Sequence, residues 1–449
     1  MPMRFFRCSL ARRAMLAIVA ILAPVVSPRP ARAQHGGHEG MPGMDMPADS
    51  TRPPRWHFMA QAIPVLTRAD HTAGGVDLSE GYLAQVVAMA RGHWWNGHAN
   101  LDAAFNAEGL TMRRGELSTG AFGEGFIDRR HPHTYLHELV LSGVGAVGPV
   151  SYSASAGRGF VPFGTDDPMM RPFEKYPINH HLSQILERVL VMGAVRLGPA
   201  IVEGATFGGD EPTAPSSAPQ FDRFGDSWSV RATALPVPAL ELQGSYARVA
   251  SPEQTSGFGL DQRKRNFSLR AIDHDGSRYL LGEWARTEEF DDTRHVRVFA
   301  YESALVEGAA TLGPVGLALR FEQTDRPEEE RLADLFRTPR PAPDLGISGI
   351  TRWRTATLAV TLPSVTPGAF RGYPFVEVER LNAAARDSRS AFSPPDFYGT
   401  SSPWMLSVGF RLRYGPMHAR MGRYGVALPT GPAIGSLAPG DVSSTQHHH

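Results

Sequence analysis

Hydrophobic and polar residues alternate one by one along many segments of the chain. One such segment runs from Trp404 to Tyr414, where every second residue is apolar and Ser407, Arg411 and Arg413 fall between the apolar positions. Successive side chains of a β-strand point to opposite faces, so this alternation predicts strands with one apolar face and one polar face. Strands of this kind suit a sheet that separates lipid from water.

Short Gly-Pro turns alternate with long polar connections. A Gly-Pro pair separates two strand-like segments at Gly148, Gly198 and Gly313, and another follows Tyr414 at Gly415. Glycine adopts unusual backbone dihedrals and proline interrupts a strand, so each pair predicts a tight reversal. The connections between the hairpins are longer than is usual in compact soluble domains. Transmembrane β-barrels have this asymmetry, with short periplasmic turns and long outer loops.

These patterns predict an all-β protein, a transmembrane antiparallel β-barrel of about 16–18 strands. After the N-terminal stretch, no segment approaches 18 consecutive apolar residues, which argues against membrane-spanning helices. The predicted strands are centred on Ala60, Val86, Ala103, Thr119, Val140, Ala154, Val191, Glu203, Arg231, Gly244, Leu269, Gly282, Phe299, Leu319, Leu358, Val376, Val408 and Arg420.

The N-terminus has the pattern of a cleavable secretory signal. Basic residues precede an apolar stretch that begins at Ala14, and the small residues Ala31 and Ala33 follow it. This order of regions predicts export and cleavage after Ala33. We therefore expect a signal peptide at residues 1–33, a flexible His- and Met-rich periplasmic segment at 34–55, the barrel at 56–425 and a flexible tail at 426–449.

The composition argues against several classes of function. Lys and Arg number 45 and balance 45 Asp and Glu, so net charge gives no reason to expect a nucleic-acid partner. The single cysteine, Cys8, lies within the predicted signal, so we expect no disulfide in the mature chain. Neither a nucleophile-elbow motif nor a Gly-rich nucleotide loop is present, and we expect no enzymatic activity. The alternative is a barrel hydrolase that uses Ser142, Ser183 or Ser268 with a histidine.

Histidine and methionine are concentrated at the expected mature N-terminus. The residues concerned are His35, His38, Met41, Met44 and Met46. Thioethers suit Cu(I) and imidazoles suit copper and zinc, so this mixture favours copper over magnesium or calcium. We predict that these residues capture a metal ion in the periplasm, with copper as the leading candidate. The alternative is a disordered tail without a metal role.

A second group of histidines lies farther along the chain. His131 and His133 share a face if the chain is extended, whereas His133 and His137 share a face on a helix. His180 and His181 lie in the long connection that starts at Gly159. If that connection folds into the barrel, it narrows the lumen. It then also brings together four histidines that we predict to form an inner metal site or gate: His131, His133, His180 and His181.

Two alternatives stay open for these segments. The connection after Gly159 also suits an ordered outer loop held by Phe173 and Tyr176. The histidines near Pro132 also suit a charged rim, where they are solvated or hydrogen-bonded.

The same segments resemble a protein family. The sequences at 127–133 and 177–182 are similar to those of a largely uncharacterised family from Gram-negative bacteria, and the similarity extends over most of the mature chain. The family often has glutamine where Arg130 stands and aspartate where Thr134 stands, whereas the His-Pro-His and His-His elements are retained. The resemblance implies an outer-membrane barrel with a His-rich N-terminus and a link to copper or other heavy-metal resistance. It implies no specific activity.

The polar faces of the predicted strands give the lumen a mixed charge. Six of these side chains are predicted to line a pore and to set its charge selectivity: Arg231, Arg270, Arg320, Glu322, Arg411 and Arg413. We therefore expect a monomeric or homotrimeric barrel in the outer membrane that passes or handles small solutes, with copper or a related metal ion as the leading candidate. A general porin without a metal role and a structural or adhesive surface protein are further alternatives.

Overall fold

Sixteen strands pair into a closed antiparallel barrel in the computed structural model. The structure describes residues 55–112, 115–119, 127–130, 133–273, 276–329, 347–365, 370–388, 390–415 and 420–428. The strands are β1 (Arg55–Ala69), β2 (Leu78–Trp94), β3 (Ala99–Asn106), β4 (Glu116–Thr119), β5 (Ile127–Arg130), β6 (Leu136–Val147), β7 (Val150–Gly159), β8 (Arg188–Leu197), β9 (Ala200–Phe207), β10 (Ser227–Val237), β11 (Leu240–Val249), β12 (Asp261–Ile272), β13 (Arg278–Asp291), β14 (Val296–Leu312), β15 (Val315–Glu329), β16 (Ile347–Thr361), β17 (Phe370–Ala385) and β18 (Trp404–Tyr414).

Helical structure in the described residues is confined to single turns. The α-helical turns are α1 (Glu108–Thr111), α2 (His180–Ser183) and α3 (Pro394–Tyr398), and the 3₁₀ turns are Ala73–Gly75, Trp95–Gly97, Pro168–Met170 and Gly425–Ala427. Among the residues with a described structure, no helix has the length and apolar character needed to cross a bilayer.

The barrel closes where the first strand pairs with the last. Leu66 of β1 lies opposite Val408 of β18, and each of the other 14 barrel strands pairs with a strand on either side. Closure leaves no sheet edge, so every strand can satisfy its backbone hydrogen bonds in lipid. The strands β4 and β5 pair only with each other. The prediction of a barrel strand at Thr119 is therefore wrong, because this short segment belongs to the connection between β3 and β6.

The two faces of the wall have opposite character. Large apolar side chains point outward along neighbouring strands, among them Val191, Val195, Val202, Trp228, Val230, Leu242, Phe267, Leu269, Val376, Val378, Val408 and Phe410. The alternate residues point into the lumen and are mostly polar and buried, as Arg411 and Arg413 of β18 show. The one-by-one alternation of apolar and polar residues thus predicted both faces of the wall correctly.

Connection lengths differ between the two ends of the barrel. At the short-turn end, Gly148, Gly198 and Gly313 have φ of 57°, 54° and 61°, and each stands in a two-residue turn. These left-handed conformations are the ones that glycine adopts without strain. The opposite, long-loop end carries the connections β3–β6, β7–β8 and β9–β10. The predicted asymmetry of the two ends is confirmed.

The chain after β18 departs from the prediction. Residues 420–428 lie inside the barrel. Arg420 was predicted to centre a last strand, but it is a buried residue that belongs to no strand. Its guanidinium contacts the carboxylates of Asp166 and Glu241 at 2.6 and 2.7 Å, which explains why the segment is held in the lumen. Val426 and Ala427 pack against Ala194 and Ile201 of the wall. The flexible tail was predicted to start at residue 426, whereas residues 426–428 have a described structure inside the barrel.

Candidate functional site

Residues 160–187, between β7 and β8, cross the interior of the barrel. We call them the inner segment. The carbonyl oxygen of Gly164 accepts a hydrogen bond from Gln243 of β11 at 2.5 Å. The carbonyl oxygen of Met169 accepts one from Gln61 of β1 at 3.3 Å. Strands β1 and β11 lie on opposite sides of the barrel, eight positions apart in the strand order. The connection therefore folds inward, and the alternative of an ordered outer loop is wrong.

Carboxylates of the wall hold the backbone of the inner segment. Glu377 of β17 accepts hydrogen bonds from the amides of Glu174 and Lys175 at 2.7 and 2.9 Å. Glu322 of β15 accepts from the amides of Ile178 and Asn179 at 3.0 and 2.7 Å. A segment with little regular structure leaves its amides without backbone partners, and charged acceptors satisfy them strongly. The lumen is thus shaped to receive this segment.

A buried arginine cluster fixes the start of the inner segment. Asp166 accepts hydrogen bonds from Arg270 of β12 at 2.6 Å and from Arg420 at 2.6 and 2.8 Å. Glu241 of β11 also pairs with Arg270 and Arg420, at 2.7 Å each. Burial alone would raise the pKa of Asp166, but the charges of Arg420 and Arg423 outweigh burial and hold that pKa below its usual value. Asp166 is therefore an anion that joins three parts of the chain.

A lysine anchors the middle of the inner segment. The Lys175 ammonium lies 2.9 Å from Glu116 and 3.1 Å from Glu174, and it donates a hydrogen bond to Tyr82. Burial would lower the pKa of Lys175, but the two carboxylates raise it well above its usual value. The buried ammonium therefore stays charged and ties β2 and β4 to the inner segment.

The six predicted pore-lining residues all face the lumen and are buried. Five of them contact the inner segment. Three arginines donate hydrogen bonds to its backbone carbonyl oxygens: Arg231 to Gly164, Arg320 to Lys175 and Arg411 to Phe173. Arg270 donates to the carboxylate of Asp166, and Glu322 accepts from the amides of Ile178 and Asn179. The guanidinium of Arg413 lies 5.9 Å from the ring centroid of Tyr373. The six side chains lie inside the barrel, where most of them hold the inner segment in place.

Two histidines and a glutamate meet at the end of the inner segment. The candidate site comprises His133, which precedes β6, His137 on β6 and Glu187, the last residue before β8. Glu187 Oε1 lies 2.6 Å from His137 Nδ1 and 3.5 Å from His133 Nδ1. The backbone amide of Thr134 donates to the same oxygen at 3.0 Å. Possible ligand atoms of the three residues all lie within 4.8 Å of one another.

The site is buried and keeps unused polar atoms. His133, His137 and Glu187 are 3, 0 and 8% exposed. In the part of the chain that the structure describes, His133 Nε2 and His137 Nε2 have no hydrogen-bond partner, nor does the nearby Asp167 Oδ2. Burial would raise the pKa of Glu187, but its contacts with His133 and His137 hold that pKa well below the usual value. Glu187 is thus a carboxylate able to accept a cation.

Glu187 also has an unusual backbone conformation. Its φ of 59° lies in the left-handed region, which a non-glycine side chain rarely adopts. Such strain persists only where surrounding contacts impose it, and it is frequent at functional sites. Here the contacts are those of the carboxylate with Thr134 and His137.

The structure brings some of the predicted inner-site histidines together. The rings of His133 and His180 lie 5.7 Å apart, and those of His180 and His181 lie 4.9 Å apart. His131 and the predicted N-terminal ligands His35, His38, Met41, Met44 and Met46 fall outside the described residues. The predicted ligand set omitted His137 and Glu187, although the spacing from His133 to His137 was a usable signal.

Comparison with known proteins gives structural likeness only. No protein-family model and no curated protein matches the chain. An anion-selective porin from Comamonas acidovorans matches with a TM-score of 0.48 and 13% identity, over 81% of this chain and 100% of that chain. The trimer form of OmpT, an outer membrane protein of Vibrio cholerae, has a TM-score of 0.46 and 10% identity, over 81% and 100%. Salmonella typhi OmpF, in complex with daunomycin, has 0.46 and 8%, over 80% and 97%.

These likenesses are weak, and the class of protein follows from the strand pairing of the chain itself. A closed antiparallel barrel of 16 strands with an apolar exterior and a polar interior is the architecture of outer-membrane barrels of Gram-negative bacteria. This chain is an all-β outer-membrane barrel with a segment folded into its lumen.

Proposed function

We propose that the protein is a porin-like barrel for small solutes and that the inner segment controls their passage. The observation that supports the proposal is the course of the inner segment from Gln243 of β11 to Gln61 of β1, across the barrel. Loops folded into the lumen constrict or plug many barrels, and the side chains at the constriction select the solute.

Copper or a related heavy-metal ion is the solute that we propose. The His and Met residues between His35 and Met46 offer soft and borderline ligands suited to it. In this proposal they capture the ion at the periplasmic side. A general porin without a metal role is the competing function.

Conductance in a planar bilayer tests the proposal. In one variant, a short Gly-Ser linker replaces residues 161–186, so the barrel keeps its wall and loses the inner segment. We expect a small current through the wild-type barrel and a much larger, steady current through this variant. The matched control deletes residues 218–222, an exposed part of the β9–β10 connection, and is expected to behave like the wild type.

Two outcomes would contradict the proposal. One is an equal current in the wild type and in the variant without the inner segment; the other is no current in either protein once circular dichroism shows that both are folded. Flux of Cu²⁺ into liposomes that contain a chelating dye then tests the solute. A wild-type barrel that passes chloride and excludes Cu²⁺ would favour the general porin.

A further inference from the structure

We propose that His133, His137 and Glu187 bind a divalent transition-metal ion of borderline softness, such as Zn²⁺ or Cu²⁺. Two imidazoles and a carboxylate are a ligand set that such ions accept. The metal binding itself is independent of transport. Its consequence for passage rests on the proposed function, because the ion would join the inner segment to the wall.

The positions of the ligand atoms fit a metal after a small adjustment. Metal–nitrogen and metal–oxygen bonds of about 2.0–2.2 Å place two tetrahedral ligands about 3.4 Å apart. Glu187 Oε1 and His133 Nδ1 are already 3.5 Å apart. The 2.6 Å between Glu187 Oε1 and His137 Nδ1 is that of a hydrogen bond, and it has to widen by about 0.8 Å when a metal replaces the shared proton.

Asp167 stands where a metal-bound histidine usually has its carboxylate partner. If His137 binds the metal through Nδ1, its Nε2–H faces Asp167 Oδ2, which lies 4.0 Å away. Metal-binding histidines commonly donate the other ring N–H to a carboxylate, which fixes the ring and raises its basicity. Asp167 is held by the amide of Met169, which donates to Oδ1 at 2.7 Å. The second oxygen is therefore positioned to orient His137.

Unused polar atoms support a ligand at this place. Burying a polar atom without a partner costs about 1–3 kcal/mol, so such atoms need an explanation. His133 Nε2, His137 Nε2 and Asp167 Oδ2 are three of these atoms within one small volume of the described structure. With the cation on the Nδ1 atoms, the ring proton of His137 lies on Nε2, and a small shift from 4.0 Å lets it be donated to Asp167 Oδ2.

A cavity gives the ion access to the site. It reaches His133 and Glu187 from the long-loop end, where His181 and Glu211 are partly exposed. Lys264 and Arg188 also line it, and Arg188 pairs with Glu211 at 3.2 Å. The cavity therefore reaches two of the three proposed ligands, His133 and Glu187.

The ion would link the end of the inner segment to the wall of the barrel. His137 belongs to the wall strand β6, whereas Glu187 ends the inner segment and Asp167 lies near its beginning. A ligand that binds only this arrangement stabilises it by RT ln(1 + [L]/Kd), so the stabilisation free energy grows with the logarithm of the metal concentration. Metal occupancy would then favour the state in which the inner segment stays across the lumen.

Metal stoichiometry tests the site without using transport. The full-length protein in detergent is dialysed against Zn²⁺ or Cu²⁺, and bound metal per chain is measured by mass spectrometry. We expect the His133→Gln/His137→Gln double variant to bind one equivalent less than the wild type. A His35→Ala/His38→Ala variant should keep that equivalent, because those residues form a separate prediction. In the Cu²⁺ electron paramagnetic resonance spectrum, this second variant should show coupling to two imidazole nitrogens.

His93→Gln is the matched control, because His93 is a partly buried histidine of β2 whose Nδ1 lies 2.6 Å from Asn100 Oδ1. It should keep the wild-type stoichiometry. If the double variant does not fold by circular dichroism, Glu187→Gln carries the same expectation. Equal stoichiometry in the wild type and a folded site variant would overturn the proposal. Since no current is measured, this failure is distinguishable from failure of the proposed passage of solutes.

Discussion

Asp166 is the residue whose replacement should loosen the inner segment most selectively. Its carboxylate receives three charge-assisted hydrogen bonds, one from Arg270 and two from Arg420, at 2.6–2.8 Å. Asp166→Asn keeps the size of the side chain and removes the charge. The wall strands keep their own backbone ladder, so we expect the inner segment to open more often while the barrel stays folded.

The size of the effect follows from burial. Asp166 is 4% exposed, and removing one partner of a buried ion pair costs about 3–5 kcal/mol. Since about 1.4 kcal/mol changes an equilibrium constant tenfold, opening of the inner segment should increase about 100-fold to 4,000-fold. The matched control is Asp292→Asn at the rim, where Asp292 and Arg248 are 2.7 Å apart with side chains 38 and 39% exposed. An exposed pair contributes about 0–1 kcal/mol, which corresponds to about fivefold at most.

Hydrogen–deuterium exchange with mass spectrometry measures this opening in detergent. Peptides that cover residues 160–175 should lose protection in Asp166→Asn and keep it in Asp292→Asn, while peptides from β12 and β18 stay protected in both. Equal protection of the inner segment in the two variants would refute the reasoning. So would loss of protection throughout the barrel in Asp166→Asn, because the cluster would then support the wall itself.

Three further outcomes are expected. Gly164→Ala should destabilise the inner segment by at least about 1 kcal/mol in the same exchange assay, because an added Cβ at φ 65° would lie 1.6 Å from the carbonyl oxygen of Ser183. The control Gly193→Ala should have no such effect, since the atom nearest to its added Cβ is 3.9 Å away. The lowered pKa of Asp166 means that the stabilisation from its charge is complete above its unfolded-state pKa of about 4 and is lost as the pH falls further. Protection of residues 160–175 should therefore decline in acid below about pH 4 more steeply in the wild type than in Asp166→Asn. Asp167→Asn should weaken Zn²⁺ binding roughly 10- to 100-fold in a competition titration with a chelating dye, and an unchanged affinity would exclude an orienting role for Asp167.

Local pattern was sufficient for most of the wall. Along β18, the alternation of side chains assigns Val408 and Phe410 to the lipid face and Arg411 and Arg413 to the lumen, and the structure agrees. Tight turns were equally readable at Gly148 and similar positions, because glycine tolerates the left-handed conformation and proline fixes φ there, whatever the rest of the chain does. Thr119 and Arg420 were misassigned because short segments of this kind acquire their structure from distant partners.

The inner segment could not be assigned from its sequence. A polar lumen and bulk water both satisfy polar side chains, so a loop inside the barrel and a loop outside it have the same composition. What decides between them is the complementary charge of the wall, such as Glu377 and Glu322 opposite the amides of the inner segment. Those partners are far away in the sequence.

The candidate metal site shows the same division. His133 was recognised from its residue type, but its partners His137 and Glu187 are separated by 50 positions and meet only because β6 and the end of the inner segment converge. The sequence by itself determined a membrane barrel, because the face of each strand residue depends on its immediate neighbours alone. Only the tertiary structure decided what fills the barrel and which ligands meet there, because both depend on long-range contacts between buried charges.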